Sequence, residues 1–222
     1  PTGYVNGKAS AGSAGGTSDN RGHGNMQATK QISNINLAAG QSGQNYLFGE
    51  LRGTSLQGYV YVDANNNGIR DAGESGLAGI RVVLSGTTSD GSDICILRST
   101  CIATTASDGS FSFANMIPGT YSLQKIATDI DGSKYADGKE TAGAAGGAVN
   151  NLSFGTLPYQ NTISAINLTN AVVLAGNGQV GGYLFGVTPR TVPGLKLPII
   201  SGSVILNRGR SNQAGSNIAG KS

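Results

Sequence analysis

Short runs of alternating apolar and polar residues, separated by glycine- and asparagine-rich turns, make up most of this chain of 222 residues. A period of two is typical of half-buried β-strands. Residues 1–30 are rich in Gly, Ala and Ser and are predicted to be mostly loop, and residues 131–150 share that composition. No segment has sustained helical periodicity, so we expect an all-β sandwich or barrel. The predicted strands include a short one near residue 32 and the segments 45–49, 58–62, 79–85, 93–98, 101–106, 110–114, 120–127, 162–168, 171–175 and 182–187.

The sequence also repeats itself, which indicates a modular architecture. The segment YVNGKASAGSAGG at residues 4–16 returns as YADGKETAGAAGG at 135–147. Two later segments return in the same order: ISNINL at 32–37 as ISAINL at 163–168, and NYLFG at 45–49 as GYLFG at 182–186. The offset is 131 residues at first and 137 at the end, so an insertion of six lies near residues 169–174. Residues 1–50 are therefore predicted to be the trailing half of a preceding repeat, and residues 56–187 a complete repeat.

A weaker copy of the repeat lies near the end of the chain. The segment ISGSVILN at residues 200–207 resembles LQGYVYVD at 56–63, the first strand of the complete repeat. Residues 188–222 are predicted to be a linker, the leading strand of a further, degenerate repeat, and a flexible tail. We expect no ion there, because Asn207, Gly209 and Ser211 stand where ligands would be needed.

One loop combines residue types and spacing that suit a metal ion. Counted from residue 63, it matches D-x-[DN]-x-[DN]-G-x5-E, with Gly68 at the position of the sharp turn. A twelve-residue loop of this kind can wrap six to eight oxygens around Ca²⁺, a hard cation. The flanking residues favour strands rather than helices, and the alternative is a polar turn that matches by accident. The predicted calcium ligands are the side chains of Asp63, Asn65, Asn67, Asp71 and Glu74 and the backbone carbonyl of Ile69.

Composition narrows the class of protein. The chain has 36 glycines, 12% charged residues and no Trp, which suits an extracellular all-β protein with tight turns and suits a metabolic enzyme poorly. The single histidine, His23, lies in a Gly/Asn-rich stretch without a nucleophile nearby, so no catalysis is expected. The net charge of +3 is scattered, which predicts no nucleic-acid partner. No apolar run approaches the length of a membrane span. Because the chain starts abruptly at Pro1, we expect it to be a processed or excised part of a secreted precursor.

The two cysteines, Cys95 and Cys101, are six residues apart. In an oxidising compartment this spacing allows a disulfide that staples a loop. Two buried free thiols or half of a metal site are the alternatives, and no second Cys or His cluster supports the metal site.

Three stretches resemble the SdrD B-like, or Cna B-type, repeats of bacterial surface adhesins. They are GYVYVDANNNGIRDAGESGLAGIRVVLSG from residue 58, TTASDGSFSFANMIPGTYSL from residue 104, and the trailing GKETAG and YLFG. The resemblance implies a seven-stranded, Ig-like β-sandwich used as a stalk unit, with Ca²⁺ stiffening the domain and its joints. It implies the same six calcium ligands. Some relatives carry a Lys–Asn/Asp isopeptide bond promoted by a Glu, but here the strand YSLQK has Lys125 in its place, so no such bond is expected.

The predicted function is that of a non-catalytic structural protein, a stalk or filament subunit on a bacterial cell surface, whose partners are further copies or neighbouring repeats. The tail strand of one copy could complete the N-terminal half-repeat of the next by β-strand addition, unless both ends are cut points. The alternative is an adhesin that binds a host protein or glycan through residues 135–147 or the cysteine loop. The residues predicted for the assembly strand are Leu195, Pro198, Ile199, Ile200, Val204, Ile205 and Leu206.

Overall fold

Thirteen strands and one short α-helix form within the residues that the computed structural model describes, which are 4–19, 30–151, 161–175 and 179–190. The helix is α1 (Asn170–Ala175), and a single 3-10 turn lies at Ala127–Asp129. The strands are β1 (Tyr4–Ser10), β2 (Thr17–Asp19), β3 (Gln31–Ser33), β4 (Leu47–Arg52), β5 (Thr54–Val62), β6 (Arg81–Thr88), β7 (Ile102–Thr104), β8 (Ser110–Met116), β9 (Gly119–Lys125), β10 (Tyr135–Thr141), β11 (Ala148–Val149), β12 (Thr162–Leu168) and β13 (Gln179–Pro189).

Strands β5 to β13 form a sandwich of two sheets. One sheet has the order β10-β13-β5-β8 and the other has the order β11-β12-β9-β6-β7. The first strand, β5, pairs in parallel with the last, β13, and antiparallel with β8. Seven of the nine strands are long and the other two, β7 and β11, are short edge strands. The all-β, Ig-like sandwich is therefore confirmed, with two short strands beyond the expected seven.

The core lies between the two sheets, where the inward-facing residues of alternating strands meet. Its members come from both sheets, as the alternation predicts: Leu56, Val60, Phe111, Phe113 and Phe185 from one, and Val82, Leu84, Tyr121, Leu123, Ile163 and Ile166 from the other. Strand β5 lies inside its sheet, and six of its nine residues are buried. Its Gly58 lies so close to the chain opposite that an added Cβ would lie 2.0 Å from the carbonyl oxygen of Tyr183.

The glycine-rich segments contain strands, contrary to the prediction of loops. Strand β1 pairs antiparallel with β4, and the corresponding β10 pairs antiparallel with β13. Each strand has one glycine and several residues that are depleted in strands, such as Asn, Asp, Lys and Ala, and would be a weak strand former alone. Pairing with a later, more apolar strand supplies the hydrogen bonds that their own composition does not encode.

Two other predicted strands are wrong. Residues 93–98 form consecutive turns, in which Ile96 N donates to Asp93 O (3.2 Å) and Leu97 N donates to Ile94 O (3.2 Å). Such local bonds replace a ladder. Residues 171–175 belong to α1, because Val172 N donates to the Thr169 hydroxyl oxygen (3.2 Å) at the start of the helix. This helix lies in the predicted insertion, where the half-repeat has no counterpart.

Among the described residues, no helix has the length and hydrophobicity needed to cross a membrane.

Candidate metal centre

The oxygen-rich loop begins where β5 ends, and its first predicted ligand is buried. Asp63 is 0% exposed. Its carboxylate accepts hydrogen bonds from the backbone N–H groups of Gly68 (2.8 Å) and Asn67 (3.0 Å), which fold the loop back over the end of the strand. Gly68 has a φ of 80°, a conformation that glycine adopts without strain. The buried carboxylate and the glycine together fix the first half of the loop.

The middle of the loop brings two predicted amide ligands to the carboxylate of a third predicted ligand. The amide groups of Asn65 (3.0 Å) and Asn67 (2.9 Å) both donate to Oδ2 of Asp71. Their amide oxygens accept backbone N–H groups of the loop, from Asn67 (3.0 Å) and Ile69 (2.7 Å) respectively. These residues therefore lie side by side.

The last predicted ligand closes the loop. Oε1 of Glu74 accepts the N–H of Ala64 (2.9 Å), and Oε2 accepts the N–H of Asp71 (3.0 Å). One carboxylate therefore joins the two ends of the loop, and all six predicted residues belong to one closed turn.

The carboxylates of this loop are not neutralised by an ion pair within the described part of the chain. There, no Lys or Arg forms an ion pair with Asp63, Asp71 or Glu74. The guanidinium of Arg70 instead lies 4.3 Å from the ring centroid of Tyr59. Burial and, after it, the charges of the loop carboxylates raise the pKa of Tyr61 well above its usual range. The Tyr61 hydroxyl lies 3.4 Å from Oδ2 of Asp63.

The donor set fits a hard cation by its chemistry. It consists of three carboxylates, two amide oxygens and a backbone carbonyl, which are the ligand types that Ca²⁺ prefers. Within the described ranges no group of three or more His, Cys, Asp or Glu residues is arranged to hold a metal ion. A site here would therefore depend on the amide and carbonyl oxygens as well as on the carboxylates.

The loop is fastened to β10, a contact that the sequence analysis missed. The N–H of Lys139 donates to Oδ1 of Asn66 (3.1 Å), and the hydroxyl of Thr141 donates to the carbonyl of Gly68 (2.6 Å). The signal was hidden because residues 131–150 have the composition of a loop. The loop between β5 and β6 is thus hydrogen-bonded to β10, an edge strand of the sheet that contains β5.

A second polar cluster is buried under the same sheet, and sequence reasoning missed it as well. The ammonium of Lys125 is 1% exposed and lies 3.0 Å from Oδ1 of Asp137, 3.0 Å from the carbonyl of Gly186 and 3.9 Å from Oε1 of Glu140. Burial raises the pKa of Glu140 to about 8, although the charge of Lys125 acts in the opposite direction. Burial therefore favours the protonated form of Glu140, whose Oε1 is buried without a hydrogen-bond partner.

The structure joins Cys95 to Cys101 in a disulfide, with Cα atoms 5.5 Å apart, in agreement with the expected staple. The residues of the predicted assembly strand lie outside the described residues, and so does His23.

The fold and the site define a class: a β-sandwich repeat domain with an oxygen-rich loop between its first two strands. The chain belongs to the SdrD B-like domain family, whose model matches residues 54–168.

Individual relatives and solved structures match this chain over only part of their own length. Serine-aspartate repeat-containing protein F of Staphylococcus epidermidis is 31% identical over an alignment of 111 residues that covers 44% of this chain and 6% of the relative. Among solved structures, BcpA, the major pilin subunit of Bacillus cereus, has a TM-score of 0.36 at 10% identity, covering 72% of this chain and 36% of that one. A double mutant of the shaft pilin SpaA from Lactobacillus rhamnosus GG has a TM-score of 0.27 at 13% identity, covering 64% and 51%.

Proposed function

We propose that this chain is a non-catalytic structural unit of an extracellular stalk or filament on a bacterial surface, stiffened by Ca²⁺ in the loop between β5 and β6. Membership of a family named for the B-like repeats of a serine-aspartate repeat surface protein supports the location. The observation that carries the calcium proposal is the closed loop with three carboxylates and no neighbouring Lys or Arg in an ion pair within the described residues. A divalent cation would offset that charge.

Stiffening follows from what the loop touches. An ion held by the loop would fix the backbone of residues 63–74, and this backbone is bonded to β10 through Asn66 and Gly68. Because β10 lies at one edge of the sheet and β5 lies near its centre, the bound loop would resist shear between them.

A calcium titration tests the proposal. We expect Ca²⁺ to raise the melting temperature of the full chain and a chelator to lower it, because a ligand of the native state stabilises by mass action. The same samples are examined by negative-stain electron microscopy, with Mg²⁺ as the control ion. An unchanged melting temperature in calcium and in chelator would mean that the loop is an ordinary turn.

The proposed assembly is head-to-tail, by addition of the tail strand to the edge of β4. In the complete repeat β5 pairs in parallel with β13, with Val60 opposite Phe185. The repeat offsets place Val204 of a donor opposite Phe48 of an acceptor and Gly202 where Gly58 makes its close approach. Phe48 is exposed, which supports a missing neighbour at this edge.

Filaments in the electron micrographs would support this assembly. We expect Val204→Asp to abolish them and Ser211→Asp, in the same tail, to leave them intact. A monodisperse wild-type sample at high concentration would contradict head-to-tail assembly and would leave the calcium proposal untouched.

A second candidate function is adhesion, supported by a groove beside the disulfide loop. A cavity of about 530 Å³ lies between β7 and β8, with Arg98 and Phe113 among its lining residues. Nε of Arg98 is buried without a hydrogen-bond partner, and Ile96 on the loop is exposed. A glycan and matrix-protein array with wild type and Arg98→Gln tests this function. Binding that depends on Arg98 would favour adhesion.

A further inference from the structure

Residues 4–52 fold like the last part of the complete repeat. The pairing of β1 with β4 has a register shift between Asn6 and Ala9, and the pairing of β10 with β13 has one between Asp137 and Glu140, at the same offset of 131 residues. Isolated bridges join Gly12 to Gly15 and, in the later copy, Gly143 to Gly146. The N-terminal half-repeat therefore has the backbone arrangement of a trailing half.

Individual hydrogen bonds are also shared. The hydroxyl of Tyr46 donates to the carbonyl of Gly15 (3.0 Å), as the hydroxyl of Tyr183 donates to that of Gly146 (3.2 Å). The N–H of Ser13 donates to the carbonyl of Gln44 (2.8 Å), as that of Ala144 donates to Gly181 (2.9 Å). The half-repeat is therefore already in the conformation that a complete repeat requires.

Three apolar side chains of the half-repeat are exposed where their counterparts form the core. Ile35 is 42% exposed and Ile166 is 0%, and Phe48 is 55% exposed and Phe185 is 0%. In the complete repeat these positions are covered by β5, β6, β8 and β9, the leading half. We call the exposed set the acceptor face. Its residues are Ile35, Leu37 and Phe48, whose counterparts Ile166, Leu168 and Phe185 all belong to the core.

The acceptor face keeps the means to hold an oxygen-rich loop. Ser10 stands where Thr141 donates to the Gly68 carbonyl, and Lys8 stands where the N–H of Lys139 donates to Asn66. A hydroxyl donor and a backbone donor are therefore both present for a partner's loop.

One pair of residues differs in charge. Asp137 and Glu140, which face Lys125, are replaced in the half-repeat by Asn6 and Ala9. If the leading half of this chain covered the acceptor face, the ammonium of Lys125 would lie beside an amide and a methyl group. A buried cation that loses its carboxylate partners is strongly disfavoured.

We propose that the acceptor face binds the leading half of a repeat that has an uncharged residue at the position of Lys125, and that it rejects residues 54–125 of a second copy of this chain. The proposal rests on the proposed function, in which the chain works among neighbouring repeats. It adds a rule of pairing: the acid pair under the sheet decides which leading half fits which trailing half.

The test extends the full chain at its N-terminus by a second copy of residues 54–131, joined directly to Pro1. This reproduces the spacing of the complete repeat, because residue 1 corresponds to residue 132. The added copy carries either Leu or the native Lys at its position 125, and the original repeat is unchanged. A third chain has the added copy with Lys and also Asn6→Asp and Ala9→Glu in the half-repeat. Hydrogen exchange of the β4 amides is measured in calcium and in chelator.

We expect the Leu extension to slow exchange of the β4 amides at least 100-fold relative to the unextended chain. The factor by which the Lys extension slows exchange should be at least ten times smaller. Restoring the acid pair should recover the protection with Lys. Equal protection by Leu and Lys would overturn the pairing rule, and no protection in any of the three chains would overturn the acceptor face. The extended chains are compared at the same calcium concentration, so the difference between them does not depend on calcium binding or on filament formation. Failure of the pairing rule is therefore distinguishable from failure of the proposed function.

Discussion

The hydroxyl of Thr141 donates a 2.6 Å hydrogen bond to the carbonyl oxygen of Gly68, which lies 73 residues earlier in the chain. This bond connects the edge strand β10 to the turn of the oxygen-rich loop. Because of this bond, the conformation of the loop and that of the sheet depend on each other. An ion in the loop would therefore stabilise strands that contain none of its ligands.

Thr141→Val should therefore lower both the stability of the domain and the affinity of the loop for calcium. The variant keeps the shape of the side chain but leaves the Gly68 carbonyl without its donor, at a cost of about 1 kcal/mol. We expect the melting temperature to fall by about 2–4 °C and calcium affinity, measured by isothermal titration calorimetry, to fall several-fold. Thr104→Val, on the exposed edge strand β7, is the control. Equal affinities for Thr141→Val and wild type would mean that the loop is independent of β10.

Glu74→Ala should remove the response to calcium. Glu74 bonds to the N–H groups of Ala64 and Asp71 and is the ligand expected to bind the ion through both oxygens. At a calcium concentration 100 times the dissociation constant, the wild type gains about 2.7 kcal/mol, and the variant should gain none. Asp131→Asn, outside the loop, is the matched control in the same thermal melts. A full calcium shift in Glu74→Ala would exclude this loop as the site.

The buried cluster predicts a dependence on pH. Burial raises the pKa of Glu140 to about 8, whereas the ordinary value is 4.5, so the folded protein retains a proton that the unfolded chain releases. The resulting stability is complete below about pH 4.5 and is lost as the pH rises through about 8. We expect the melting temperature to fall by several degrees from pH 5 to pH 8.5.

Glu140→Gln tests whether Glu140 causes the pH dependence of the melting temperature, because the amide is neutral at every pH. In this variant the melting temperature should change much less with pH. Glu50→Gln, at an exposed position on β4, should keep the pH dependence of the wild type. Asp129 and Asp131 contribute in the opposite direction, since their partners lower their pKa values, and they act only below this range. The same slope in Glu140→Gln would refute the assignment.

Gly58→Ala should be among the more damaging small substitutions. The added Cβ would lie 2.0 Å from the carbonyl of Tyr183 and 2.6 Å from the ring of Phe111. Relief requires separating β5 from β13, which we expect to cost about 3 kcal/mol. Gly132→Ala is the control, because its Cβ would meet no atom within 4 Å. Chemical denaturation of both variants measures the difference, and similar midpoints would contradict the tight approach of the two strands.

Reduction of the disulfide should destabilise the chain by about 2 kcal/mol, the loop entropy expected for so short a ring. The double variant Cys95→Ser/Cys101→Ser should unfold at the midpoint of the reduced wild type and should not respond to reductant. Denaturation with and without dithiothreitol gives both comparisons. A response in the double variant would point to another cause, since the chain has only these two cysteines.

The sequence by itself determined the features that are local or repeated. The predicted ligands of the loop lie within twelve consecutive residues, so they could be proposed from their spacing alone. The repeat offsets and the alternation of apolar residues were enough for the all-β class, and a spacing of six was enough to suggest the disulfide. The all-β class and the disulfide are confirmed, and the calcium ligands stay a prediction. Each of these inferences needs only the order of residues along the chain.

Tertiary structure decided what depends on distant partners. Strands β1 and β10 are strands because β4 and β13 pair with them, and the glycine-rich segments around them give no sign of it. Residues 171–175 look like a strand but belong to a helix, which begins where the Thr169 hydroxyl accepts the N–H of Val172. Lys125 meets Asp137 only when β9 and β10 are brought together in the sandwich. Burial then sets the charge of the cluster, and burial is a property of the whole fold.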